Sequence, residues 1–211
     1  MDSGFRQGLS PVEREMLAAG MVDVRSIDSS ISVDLKYAST DNFLKTIIYK
    51  DLRKAYLQQD VAMKLARAQS YLKEKYPSYS LLIYDAARPV SYQQQIWDAV
   101  VMPVAEKTKF VANPKNGSLH NFGAAVDLSI IDGNKKELDM GCTFDTLSPI
   151  AYPVMEWKFL ADGLLSQQQV DNRRLLREVM YRAGFFNIQT EWWHFNACTR
   201  AEAIGKYKRI E

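Results

Sequence analysis

Ser118-Leu119-His120-Asn121-Phe122-Gly123-Ala124-Ala125-Val126-Asp127, continued by Leu128-Ser129-Ile130-Ile131, is the stretch around which the rest of the chain is read. Ala125 to Ile131 predicts a strand, and alternation puts Val126, Leu128 and Ile130 on one face and Ala125, Asp127 and Ser129 on the other. The apolar set belongs to the core. Asp127 therefore emerges in mid-strand on a face of small residues, where a carboxylate needs water or a cation. Gly123 with Ala124-Ala125 suits a turn in which backbone passes close to something else. His120 precedes the strand by one turn, so the two side chains can converge.

The stretch is answered near the other end of the chain by Glu191-Trp192-Trp193-His194. The sequence has two histidines, His120 and His194, and each has a carboxylate close by. One reading is a pair of hydrogen-bonded core histidines with solvated carboxylates. The other is a shared metal, and zinc accepts neutral imidazole and carboxylate while three such ligands leave a fourth position for water. Residues three apart oppose one another on a regular strand, so if Glu191 and His194 serve one centre the backbone at Trp192-Trp193 must bend, bulge or end its strand. The division of labour is then His194 on the metal and Glu191 held off it as the base for an attacking water.

Outward from these segments, helices alternate irregularly with short strands. Residues 11–19 predict a helix with Ser10 as N-cap and Pro11 at its first position. Ile31, Val33, Leu35 and Tyr37 alternate with polar residues as a half-buried strand, and Asp41-Asn42 opens a loop. Leu57, Val61, Leu65, Ala68 and Leu72 give residues 54–75 a helical stripe that Pro77 stops. Residues 81–84 read as a short strand leading into Asp85-Ala86-Ala87-Arg88-Pro89, and Ser91 as the cap of a helix carrying Ile96, Trp97 and Val100 that Pro103 ends. Residues 141–163 are irregular and aromatic, a long loop lying over something. A last helix carries Leu175, Leu176, Val179, Met180 and Ala183 and closes on Gly184, followed by strands at 186–188 and 192–195. The pattern predicts an α+β fold, one domain over residues 1–211, with a mainly antiparallel central sheet flanked by helices and the site in a cleft on the sheet.

Composition narrows the function classes. The 211 residues carry a net charge of +2 without long basic runs, which gives no electrostatic case for nucleic acid or a membrane surface. No apolar run approaches the roughly 20 residues of a membrane span. The start of the chain lacks the basic and apolar regions of a signal peptide, so the chain as given is expected in the cytoplasm, with the periplasm as the alternative for a chain whose export signal has been removed. Cys142 and Cys198 read as unpaired. The sequence sets no oligomeric state. Arg88, at a strand end before Pro89, admits two readings: a salt-bridged surface arginine, or a guanidinium facing the negative oxygen of a tetrahedral intermediate.

Taken in order, Asp34-Leu35-Lys36-Tyr37-Ala38 with Asp41-Asn42-Phe43, Tyr84-Asp85-Ala86-Ala87-Arg88-Pro89, the Ser-x-His-x-x-Gly-x-Ala-x-Asp pattern at 118–127, Met140-Gly141 with Phe144-Asp145, and Glu191-Trp192-Trp193-His194 resemble the D-alanyl-D-alanine dipeptidase family, the VanX type of zinc dipeptidase, within the wider group that includes D,D-carboxypeptidases. The resemblance implies one zinc per chain held by His120, Asp127 and His194, with Glu191 as catalytic base and Arg88 stabilising the oxyanion. It further implies that Tyr37, Ser118 and Asp145 lie at the substrate, Asp145 pairing with the free ammonium of a small D,D-dipeptide. The family pattern is departed from at Ala87, where an aromatic residue often stands, and over residues 142–163. Two other functions stay in view. A D,D-carboxypeptidase or peptidoglycan endopeptidase would use the same centre on longer substrates, and a non-catalytic zinc module would close the site with Cys142 and Cys198.

Overall fold

In the computed structural model, which describes residues 8–108 and 111–211, the Ala125–Ile131 strand forms as expected and every one of its residues is buried. In chain order the elements are α1 (Pro11–Ala18), β1 (Met21–Asp23), α2 (Val24–Ile27), β2 (Ser32–Val33), β3 (Tyr56–Gln58), α3 (Gln59–Lys75), β4 (Ser80–Asp85), α4 (Val90–Ala99), α5 (Val104–Lys107), β5 (Ala125–Ile131), α6 (Glu156–Ala161), α7 (Gln167–Arg182), β6 (Phe186–Asn187), β7 (His194–Asn196) and α8 (Arg200–Lys206). The main sheet has the order β2-β4-β5-β7-β6, and β1 and β3 form a separate antiparallel pair. Only the β2–β4 pairing of the main sheet is parallel, so the fold is α+β around a mainly antiparallel sheet. Val126, Leu128 and Ile130 join a core with Leu65, Ala68 and Leu72 of α3 and Leu176, Val179 and Met180 of α7. Among the described residues no helix is long and apolar enough to cross a membrane.

Local chemistry explains most element ends. Ser10 and Glu13 form a reciprocal capping box on α1, and Pro11 occupies its first turn. At the other end of the chain Gly184, with φ of 88°, takes the left-handed position just beyond α7. Three expectations shift. The strand read through residues 31–37 is shorter: Asp34 N–H makes the last bond to β4, at Ile83 O, and the chain then turns into a 3-10 helix at Lys36–Ala38. Lys36 holds that turn with Asp34 and Asp41, each at 2.7 Å, while Tyr37 swings into the interior. The helix read over residues 54–75 starts at Gln59, because Leu57 is taken by β3 and pairs with Val22. Its strand neighbour satisfies backbone groups that a helix start would leave open. Pro89, not Ser91, stands at the cap of α4, its φ already in the helical range, and Ser91 lies inside the helix with its N–H on Glu211 O.

The sheet register assembles the site. Asp85 pairs with Asp127 after a bulge in β4, and Asp127 pairs with His194 on its other side. The C-terminal ends of β4 and β7, the N-terminal end of β5 and the turn after β2 thus lie at one end of the sheet. Residues 141–163 are irregular as read, but include 3-10 turns at Pro149–Ala151 and Pro153–Met155 and the helix α6. Phe144 anchors the segment over the sheet, with its ring against Tyr37, Tyr84 and Trp193.

Candidate metal centre

His120 reaches the site from a four-residue 3-10 helix, Leu119–Phe122, capped by the Ser118 hydroxyl. That helix can turn straight into β5 because Gly123 stands at φ 63°, where a Cβ would lie 2.9 Å from the Met21 side chain and 3.2 Å from Gln58 N. The tight passage is fixed by a hydrogen bond from Gln58 N–H to Gly123 O. On the opposite side, the segment 191–193 lies outside any strand and β7 begins only at His194. The strand read over residues 192–195 is thus shifted to His194–Asn196, and the backbone at Trp192-Trp193 stays outside it, as a shared role for Glu191 and His194 requires. Trp192 and Trp193 are buried, and Trp193 O accepts from Leu128 N–H, so this end is held to β5.

The result is three donor atoms facing one point. His120 Nε2 lies 3.1 Å from His194 Nδ1, His194 Nδ1 lies 2.9 Å from Asp127 Oδ1, and His120 Nε2 lies 3.4 Å from Asp127 Oδ2. The far nitrogen of each ring has an acceptor: His120 Nδ1 is 2.6 Å from Ala86 O, and His194 Nε2 is 2.9 Å from Asn196 Oδ1. Each neutral ring therefore carries its proton on the far nitrogen and turns a lone pair inward. Two lone pairs and a carboxylate at this spacing repel unless a cation sits among them. Bonds of 2.0 to 2.1 Å in a tetrahedral site put ligand atoms about 3.3 Å apart, close to the three separations found here. His120, Asp127 and His194 are a cluster able to hold a metal ion, and all three are buried. Burial pushes the Asp127 carboxyl up, but without a metal, positive charge and hydrogen bonds from His120 and His194, which require protons on the inward ring nitrogens, outweigh it and hold the group well below the usual carboxylate range. A dication at the same point would act in the same direction.

All eight residues singled out in the sequence line one cavity of about 290 Å³. Glu191 Oε2 is 3.8 Å from His194 Nδ1, beside the triad but not among its donor atoms. Burial, with Asp127 and Asp145 adding to it against His194, pushes the Glu191 carboxyl up to about 7. Asp145 sits at φ 58° and accepts from the Tyr37 hydroxyl at 2.5 Å. Burial raises it to about 8, helped by the charges of Asp127 and Asp85. Ser118 Oγ accepts from His120 N–H.

Arg88 is a buried arginine, and it is also salt-bridged. Its Nε and Nη2 contact Asp85 Oδ2 at 2.7 and 2.6 Å, Nη1 donates to Gln93 Oε1 at 2.7 Å, and Nη2 comes within 3.6 Å of Asp127 Oδ2. Asp85, which the sequence reading did not single out, also accepts from the Tyr49 hydroxyl and Ala86 N–H. Asn196 and Gln93 were missed as well. Asn196 had a signal, since it lies two residues beyond His194 and so on the same face of β7. Both cysteines are free and lie outside the metal cluster. Cys142 is against Arg173 Nη2 at 3.4 Å, and the Cys198 thiol is raised by burial with Glu202 nearby. The closed site with sulfur ligands is not formed among the described residues.

Comparison with known proteins agrees with this geometry. The profile of the family described as D-ala-D-ala dipeptidase matches residues 17–209. A D-alanyl-D-alanine dipeptidase of Escherichia coli (strain K12) is 33% identical over 175 residues, covering 83% of each chain. One from Synechocystis is 29% identical over 168 residues, covering 66% of this chain and 68% of its own. One from Enterococcus faecalis is 28% identical over 177 residues, covering 77% and 83%.

Proposed function

The chain belongs to the D-ala-D-ala dipeptidase family, and from that premise we propose that it is a zinc-dependent hydrolase of the D-Ala-D-Ala dipeptide, a single catalytic domain with one zinc per chain. The observation that carries the reading is the convergence of three metal-ligand side chains, at tetrahedral spacing, on a cavity that also holds Glu191, Arg88 and Asp145. At about 290 Å³ the cavity falls just under the range of about 300 to 1,000 Å³ usual for small-molecule sites. Zinc held by His120, Asp127 and His194 would supply a Lewis acid and a water acidified to a pKa of about 7.

The residues around it have separable tasks. Glu191 takes the proton of the attacking water and returns it to the leaving amine; burial favours its protonated form and a dication at the triad would favour its ionised form, so the two halves of the exchange are each supported. Arg88 presents a fixed positive charge to the oxygen that turns negative as the carbonyl is attacked. Asp85 and Gln93 keep the guanidinium from following the substrate. Asp145, oriented by Tyr37, pairs with the free ammonium of the dipeptide. An N-acylated or longer substrate has an uncharged nitrogen there and would leave the carboxylate buried without a partner, which makes this end the length gauge.

The test is incubation of the zinc-loaded protein with D-Ala-D-Ala, L-Ala-L-Ala and a pentapeptide ending in D-Ala-D-Ala, with and without a chelator. D-alanine release from the dipeptide, abolished by chelation and restored by zinc, is the expected result. Equal or faster cleavage of the pentapeptide would move the protein to the D,D-carboxypeptidases. No cleavage of any of them would end the reading.

A further inference from the structure

A dipeptide carries a charge at each end, and the roles above account for only the ammonium. Two guanidinium groups line the cavity, those of Arg88 and Arg200. Arg88 is held by Asp85 and Gln93 and faces the triad. Arg200 is differently placed. It is exposed at the open side of the cavity, and no carboxylate pairs with it among the described residues. Its nearest acidic neighbour in sequence, Glu202, is turned back onto Thr199 N–H and Oγ1 at 2.7 and 2.8 Å. The guanidinium makes one anchoring bond, from Nη1 to Gly117 O at 3.0 Å. Gly117, at φ 73°, offers bare backbone to it: an added Cβ would lie 3.8 Å from Arg200 Nη2 and 3.2 Å from Asn121 Oδ1. One of five N–H donors is thus used to hold the group beside Ser118, and the others are available to a ligand.

We propose that Arg200 receives the terminal carboxylate of the substrate, so that the cavity reads both ends of a zwitterion: Asp145 the cation, Arg200 the anion. This rests on the dipeptidase reading and adds the second half of its length gauge. The sheet order places the two ends. Tyr37, which carries Asp145, follows β2, and Arg200 follows β7, three strands further along the order β2-β4-β5-β7. Three strand spacings are about 14 Å. An extended dipeptide spans about 7 Å, and Asp145 and Arg200 both line the cavity that would hold it. The triad, on β5 and β7 with His120 beside them, lies between the two ends, where the scissile bond would be. Guanidinium is the group that meets a carboxylate with two parallel bonds, which fixes direction as well as charge.

The test uses the zinc-loaded protein and a ketomethylene analogue of D-Ala-D-Ala, which has no amide to cleave, in its free-acid and carboxamide forms. Binding of both is measured by calorimetry for the wild type, Arg200→Gln and Arg200→Lys. Glutamine keeps a donor for Gly117 O without the charge. The wild type is expected to prefer the acid by about tenfold, the value of one exposed charge-assisted contact. Arg200→Gln should weaken acid binding to the level of the amide and leave the amide unchanged, and Arg200→Lys should recover part of the preference. An acid preference that survives Arg200→Gln, an equal loss on both ligands, or no binding of either overturns the assignment. Hydrolysis of D-Ala-D-Ala by the same preparation is scored separately. Cleavage with an acid preference indifferent to Arg200 removes this inference alone, and the expected preference without cleavage removes the dipeptidase reading alone.

Discussion

Replacing Asp85 by Asn should unsettle the site from below. The Asp85 side chain is fully buried and accepts from Tyr49 Oη at 2.7 Å, Ala86 N at 2.9 Å, and Arg88 Nε and Nη2 at 2.7 and 2.6 Å. An amide has one acceptor oxygen, so whichever way it turns, either the guanidinium or the Tyr49 and Ala86 donors face an NH₂ group. Removing one partner of a buried ion pair costs about 3 to 5 kcal/mol. Gln93 Oε1 and the carboxylate of Asp127 remain near the stranded guanidinium, which puts the expectation at the lower end, about 3 kcal/mol. With a urea m-value of about 2 kcal/mol/M, the midpoint falls by about 1.5 M. The four tryptophans give a fluorescence signal for the titration, and Asp34→Asn is the control. Asp34 is half exposed and paired with Lys36, a contact worth less than about 1 kcal/mol. The variant should also lose kcat, because the guanidinium is no longer fixed. A midpoint within 0.3 M of wild type, with kcat intact, would refute the claim that this pair supports the site (about 0.6 kcal/mol at the same slope).

Glu191→Gln should lower kcat by about 10² to 10⁴ while zinc content stays at one per chain by atomic emission, since the carboxylate is beside the ligands and not among them. Asn196→Leu removes the acceptor that fixes the His194 ring and should weaken zinc affinity about 10- to 100-fold in a chelator competition. For Asp145, raised to about 8 by burial, the ionised form that pairs with an ammonium grows as pH rises. KM for the dipeptide should therefore fall from about pH 6 toward 8 and rise again as the substrate's own amino group, with a pKa near 8, loses its proton. Asp145→Asn should raise KM and erase the falling limb, and a KM–pH profile unchanged by the substitution would count against the pairing.

What was legible in the sequence was what short-range pattern dictates. Alternation along 125–131 told which face Asp127 would take, and Ser10 with Pro11 marked the start of α1 because capping is settled within a few residues. The three-residue offset of Glu191 and His194 even required a break in the backbone, and β7 does begin after it. The shifts came where tertiary pairing overrode local preference. Leu57 fits the helical stripe, yet Val22 claims it for a strand; residues 31–37 alternate, yet the chain leaves the sheet once Asp34 has bonded to Ile83. Residues that support the site from outside were the least visible. Asp85 and Gln93 become partners of Arg88 only through the end of β4 and the first turn of α4, and nothing in their local sequence announces an ion pair. Arg200 was invisible for the same reason, since its neighbour Gly117 is 83 residues earlier in the chain.

The central claim, one metal held by two imidazoles and one carboxylate with a position left over, is tested most directly by X-ray absorption at the zinc edge of the reconstituted protein. A single shell of four nitrogen and oxygen atoms at about 2.0 Å, with the outer scattering of two imidazoles, is predicted. A sulfur shell at about 2.3 Å, or scattering from fewer than two imidazoles, would contradict it.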